Sequence, residues 1–219
     1  MEPYAGIAGM KTLNRNILAA ISAFWLLVSC PVESRGDAFS TPEGQLTRAA
    51  LSQIGQTLLY DPGYVKLAYP GGDVPLERGT CTDVIVRAFR SAGVDLQVEV
   101  HRDMAGNFSS YPKTWGLKAP DANIDHRRVP NLMTFFKRKG KSLPVSAQPE
   151  DYLPGDVVAF RLPNGLHHIG LVVDRKSADG IRPMLVHNIG YGAQLEDILF
   201  AYERLGHYRY FDSFAPGGG

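Results

Sequence analysis

Apolar residues recur with two different periods in this chain, and the change falls near Asp156. Before that point the spacing is helical. Leu46, Ala50, Ile54 and Leu58 follow one another at i+4 behind Thr41-Pro42-Glu43, the order of an N-cap, a first-turn proline and an early acid. Cys81 to Ala92 repeats the period through Val84, Ile85, Ala88 and Phe89, with Gly93 where a left-handed terminator belongs. Leu96, Val100 and Met104 predict another helix, as do Leu132, Phe135 and Phe136 before Gly140. After Asp156 come short β-rich runs: Val157 to Arg161, His168 to Asp174, Met184 to Ile189 and Tyr208 to Phe211. Helices first and strands afterwards is the α+β arrangement, with helices packed on one side of a small antiparallel sheet. Tyr60 to Gly79 holds three prolines and four glycines, which makes it loop and turn.

The N-terminus reads as an export label. Ile17 to Val28 is an apolar run behind Lys11 and Arg15, too short for a permanent span, so residues 1–29 are expected to be a signal peptide. Met10, followed at once by Lys11, is a natural start for such a leader. Leu27-Val28-Ser29-Cys30 resembles a bacterial lipobox, in which Cys30 would carry the lipid that anchors the protein to the outer membrane. Cleavage within Pro31 to Phe39 is the alternative. A linker over residues 30–40, one domain over residues 41–212 and a disordered tail over residues 213–219 complete the expected organisation, in a periplasmic or otherwise exported protein.

Charge narrows the partners. Twenty-three Lys plus Arg face 22 Asp plus Glu with no long run of one sign, which argues against a nucleic-acid partner. Two cysteines cannot build a disulfide scaffold, and loss or lipidation of Cys30 leaves Cys81 as an odd thiol, either buried and inert or reactive.

Cys81 stands where a loop ends and a helix begins, a setting that favours thiolate. A histidine sharing the thiol proton would make it a nucleophile toward a carbonyl. His167 and His168 open a strand and face opposite sides, so they cannot both ligate one metal, and no metal or cofactor is expected. Period-two alternation cannot choose between them, because both faces of that strand are apolar. His187 lies on the next strand if Arg175 to Pro183 is a hairpin connection. His101 and His207 read as structural.

Gly79-Thr80-Cys81-Thr82-Asp83-Val84-Ile85, then Pro154-Gly155-Asp156-Val157-Val158-Ala159-Phe160, His168-Ile169-Gly170-Leu171-Val172-Val173 and Val186-His187-Asn188 follow in order. That series resembles the NlpC-type cell-wall cysteine peptidases, a branch of the papain-like fold. More narrowly, Tyr69-Pro70-Gly71-Gly72-Asp73-Val74-Pro75, Ile124-Asp125-His126-Arg127-Arg128-Val129-Pro130-Asn131-Leu132 and His187-Asn188-Ile189-Gly190 resemble the YijF-like bacterial domain of unknown function. The resemblance implies a nucleophile at Cys81, a general base at His168, an orienting group at His187, and cleavage of amide bonds in peptidoglycan peptides. Where those peptidases usually carry Asp-Cys-Ser-Gly, this chain has Thr80-Cys81-Thr82-Asp83, which leaves substrate preference open. A thiol acyltransferase or a non-catalytic envelope-binding module would keep the same fold.

Around this centre, Asp83 is expected to cap its helix or to pair with Arg87 at i+4. Asp125-His126-Arg127-Arg128 reads as a solvated turn, or as a substrate-facing cluster whose guanidinium groups suit the carboxylates of stem peptides. Arg78 and Asp73 are further candidates for substrate contact, and Tyr69, Tyr111 and Trp115 for groove or core.

Overall fold

The computed structural model describes residues 40–212, so the expected signal peptide, Cys30, most of the linker and the tail lie outside the described residues. Helix α1 (Pro42–Ser52) starts as the sequence requires: Thr41 Oγ1 accepts from Gly44 N at 3.1 Å and Pro42 opens the first turn. It ends earlier than the i+4 series implies. Ile54 and Leu58 lie beyond it and are exposed, the chain having turned into a loop after Ser52. Two-residue strands β1 (Leu59–Tyr60) and β2 (Arg78–Gly79) then pair in parallel and pin the ends of the long loop beside α2 (Cys81–Ser91). Gly93 ends this segment at φ 79°, a conformation an L side chain resists.

Helix α3 (Leu96–Asn107) is capped by Asp95, whose side chain accepts from Gln97 N at 3.1 Å. Helix α4 (Val129–Arg138) carries Pro130 in its first turn and stops before Gly140 at φ 67°. The second half is a sheet of β3 (Ser142–Leu143), β4 (Val157–Arg161), β5 (His167–Lys176), β6 (Pro183–Asn188), β7 (Ala193–Glu196) and β8 (Glu203–Tyr208). Its spatial order is β3-β8-β4-β5-β6-β7, and every neighbouring pair runs antiparallel. The fold is therefore α+β, as the periods imply. Three elements of the sheet differ from the expectation: β3 and β7 carry no alternation that announces them, and β8 lies over Glu203–Tyr208 rather than Tyr208 to Phe211.

Alternation along the strands decides which side each residue faces. Ala159, Ile169, Leu171, Val173 and Val186 join the main core with Val84, Ile85 and Phe89 of α2 and Leu132, Phe135 and Phe136 of α4. Val158, Phe160, Val172 and Leu185 face the other way and pack under Tyr152, Ile198 and Leu199. Both faces of β5 are thus buried, which is why its sequence shows no polar face. Each fully buried Phe or Leu contributes about 1.5–3 kcal/mol relative to exposure. Among the described residues no helix is long and apolar enough to cross a membrane.

Candidate functional site

The capping of α2 builds the site. Asp83, three residues after Thr80, accepts from Thr80 N at 2.6 Å and from Thr80 Oγ1 at 3.0 Å. The same carboxylate takes a two-pronged contact from Arg127, Nε to Oδ1 at 2.9 Å and Nη2 to Oδ2 at 3.0 Å. Arg127 spends further donors on Gly63 O and Asp61 O, at 2.8 and 2.9 Å. The expected partner of Asp83, Arg87, instead clamps Asp73, at 2.8 Å through Nε. The local i+4 rule fails here because a buried carboxylate needs a partner inside, and Arg87 lies on the side of α2 facing the loop around Asp73 and Val74.

Cys81, first residue of α2, is 4% exposed and lies at the floor of a cleft of about 580 Å³. Tyr60, Tyr64, Trp115, Leu166, His167 and Arg128 are among its walls. The thiol is free. Burial pushes its pKa up to about 12, with the Asp83 charge adding to the rise, while the N–H groups of Ile169, Thr82 and Cys81 itself pull the other way. The expectation of a resting thiolate is therefore corrected: at the tip of α2, desolvation outweighs the backbone donors and the sulfur carries its proton.

The two imidazoles occupy adjacent strands. His168, on β5 opposite Phe160, and His187, on β6, meet at 3.1 Å between Nε2 and Nδ1. Gly170 makes room for them, since a Cβ there would lie 3.4 Å from His187 Cβ and 3.2 Å from Leu185 Cδ2. Burial lowers His168 to about 3, with His187 adding to the fall, and burial lowers His187 also, opposed by Glu196. Both rings are neutral at physiological pH. His187 Nε2 sits 2.9 Å from Glu196 Oε2, close but off the line of a well-formed hydrogen bond.

Neither ring hydrogen-bonds the sulfur. Ile169, whose N–H points at the thiol, directly follows His168, and the β5–β6 ladder begins only at Leu171 opposite Val186. Cys81 thus lies on the helical side of β5 and His168 on the Phe160 side. His167 points the other way from His168, exposed on the cleft wall. Its side chain makes no hydrogen bond, and neither does His168 Nδ1.

The remaining candidates separate. Arg128 belongs to the cleft, stacked over Trp115 at 4.3 Å, with Nη1 3.9 Å from Asp125 Oδ1 and no hydrogen bond on that nitrogen. Arg127 also borders the cleft, but its guanidinium is consumed by Asp83 and two carbonyls, so the expectation that it grips substrate is corrected. His126 is 2% exposed and held near pKa 4 by burial, and Asp125 is buried with its pKa raised for the same reason. This turn is interior, not solvated, because it packs against α2, α3 and α4. Arg78 pairs with Asp61 at 3.3 Å and Asp73 with Arg87, both outside the cleft lining, so neither is positioned for the substrate contact expected of it. Tyr111 is core, bonded to Asp103 at 2.7 Å, and Tyr69 stacks edge-on with His101. Glu196 and the ordering role of Asn188, which donates to Gly79 O at 2.9 Å, escaped the sequence reading. Among the described residues no group of three or more His, Cys, Asp and Glu side chains could hold a metal ion.

The chain is similar to Uncharacterized protein YijF of Escherichia coli (strain K12), 61% identical over 162 residues that cover 74% of this chain and 78% of that protein. A family model matches residues 47–210, from the second turn of α1 to just past β8, and the chain belongs to that family, described as Domain of unknown function (DUF1287).

Proposed function

We propose that this protein is an exported thiol hydrolase of papain-like, NlpC-type fold that cleaves amide bonds in peptidoglycan peptides. The observation that carries the reading is one juxtaposition. A cysteine opens a helix at the floor of a cleft, and two hydrogen-bonded imidazoles stand on the adjoining strands. The order of helix, first histidine strand and second histidine strand is that of the NlpC-type peptidases the sequence resembles.

Thiol and imidazole both rest neutral, so the chemistry is general-base rather than ion-pair catalysis. Cys81 Sγ attacks the amide carbonyl as its proton passes to His168 Nδ1. The carbonyl π electrons move onto oxygen, toward the N–H groups at the start of α2. His168 returns the proton to the departing amine as the C–N bond breaks. Water, deprotonated by the same imidazole, then hydrolyses the thioester and restores the thiol. Thiol and His168 lie on opposite faces of β5, so this transfer requires the His168 ring to move past the Ile169 backbone as substrate binds. Arg128 is the cation available to a stem-peptide carboxylate. In this reading residues 1–29 export the chain.

The test incubates the full chain with peptidoglycan fragments of varied stem peptide and follows products by mass spectrometry. Products are expected with the wild type, absent with Cys81→Ala and His168→Ala, and retained with His167→Ala. Absence of any Cys81-dependent product would overturn the hydrolase. Retention with His168→Ala but not His167→Ala would move the base to the cleft wall. A second reading, a non-catalytic binding module for envelope peptides, is favoured by the buried, protonated sulfur. It predicts equal peptide binding by wild type and Cys81→Ala, with no turnover by either.

A further inference from the structure

Each neutral imidazole carries one proton, so the 3.1 Å contact between His168 Nε2 and His187 Nδ1 holds a single hydrogen. Two arrangements are open. In one, His168 donates through Nε2, His187 keeps its own proton on Nε2, and His168 Nδ1 is a bare lone pair. In the other, His187 donates through Nδ1, its Nε2 is bare, and His168 Nδ1 is protonated and useless as a base.

What faces His187 Nε2 decides between them. That nitrogen is buried with no aligned partner, and Glu196 Oε2 lies 2.9 Å away. Glu196 belongs to β7, the edge strand, two residues beyond Gln194, which stands opposite His187. It shares the face of His187, and its side chain is 40% exposed, so a small rotation brings the oxygen into line. A carboxylate opposite a bare nitrogen sets two acceptors against each other, whereas opposite an N–H it receives a hydrogen bond.

We propose that Glu196 is a positioning residue: its carboxylate holds the His187 proton on Nε2, which places the shared proton on His168 Nε2 and frees His168 Nδ1. The catalytic consequence rests on the hydrolase reading; the tautomers do not.

Nitrogen-15 spectra of histidine-labelled full-length protein at neutral pH read the proton positions directly. Wild type is expected to show His168 and His187 both protonated on Nε2. Glu196→Ala is expected to give mixed tautomers at both rings. Glu196→Lys, which presents a donor instead of an acceptor, is expected to invert both, and Glu196→Gln, whose amide oxygen can still accept, to restore the wild-type pattern in large part. Wild-type tautomers in Glu196→Ala and Glu196→Lys, or in whichever of them folds, would overturn the proposal. With a peptide substrate, Glu196→Ala is expected to lower kcat about 10- to 100-fold at unchanged KM, the scale of outer partners that orient a histidine at metal sites. Failure of the wild type to turn over substrate would end the hydrolase reading and leave the spectra to judge Glu196 alone.

Discussion

Two buried histidines flank β4 on the same face of the sheet, His207 on β8 and His168 on β5, and they are treated oppositely. His207 has an acceptor within reach of each nitrogen: Nε2 meets Asp156 Oδ2 at 2.7 Å and Nδ1 faces Pro144 O at 3.3 Å. Its ring stacks on Tyr152 at 4.3 Å, and Asp156 is shared with Arg209, 2.8 Å from Nε and from Nη2. His168 is bonded on one nitrogen only, and to another imidazole. Buried polar groups in a structural network are paired out, because each unmet one costs free energy. A buried ring left with an unpartnered nitrogen is the kind of exception that calls for an explanation. Among the sheet's buried histidines, incomplete satisfaction sets His168 apart from His207.

The largest effects should come from breaking the complete networks. Arg127→Ala strands Asp83 inside the protein, and Asp156→Ala strands His207. Each is expected to cost about 3–5 kcal/mol, the range for removing one partner of a buried pair. Denaturant unfolding measures both. His168→Gln, by contrast, is expected to change stability by no more than about 1 kcal/mol while removing turnover, since little in the fold depends on its free nitrogen. Comparable losses of stability for His168→Gln and Asp156→Ala would erase the distinction.

Acid should sharpen it further. His168 and His126 are held to about 3 and about 4, below the ordinary 6.5, each chiefly by burial. Below pH 6.5 the unfolded chain binds protons at these positions and the folded one does not. Stability is then lost as pH falls, until the folded pKa values are reached. The expected slope is about 1.4 kcal/mol per pH unit per histidine between about pH 6 and 4. Replacing His126 with Gln should remove about half of the slope these two supply. A slope equal to wild type in that variant would mean that the ring is already protonated in the fold.

The local devices of this fold were legible: Thr41 and Asp83 as caps, Gly93 and Gly140 as terminators, and the apolar series of α2, α3 and α4. Each is decided within a few residues. What was not legible depends on packing at a distance. Arg127 reaches Asp83 across 44 residues of sequence, and nothing in Asp125-His126-Arg127-Arg128 distinguishes an interior turn from a solvated one. Ala193–Glu196 is too short to alternate recognisably, so Glu196 stayed hidden beside a histidine that was visible. The pair His167-His168 sits on a strand apolar on both sides, because one face meets the helices and the other meets Tyr152 and Leu199. Sequence period cannot orient such a strand, and the sheet register can.

Arg128 offers the smallest stability effect and a direct reading of what the cleft binds. Its guanidinium stacks on Trp115, and its nearest carboxylate, Asp125, is 3.9 Å away and pushed upward in pKa by burial. Unlike Arg127, it makes no hydrogen-bonded ion pair. Arg128→Gln removes the stacked cation at an expected cost of about 0.5–1 kcal/mol. Binding of a stem peptide with a free carboxylate should weaken about tenfold, and binding of the amidated peptide should hardly change, because only the first loses a two-pronged ionic contact. Calorimetry on Cys81→Ala protein with both peptides separates these outcomes. Equal losses for the two would show that Arg128 shapes the wall through Trp115 and does not read charge.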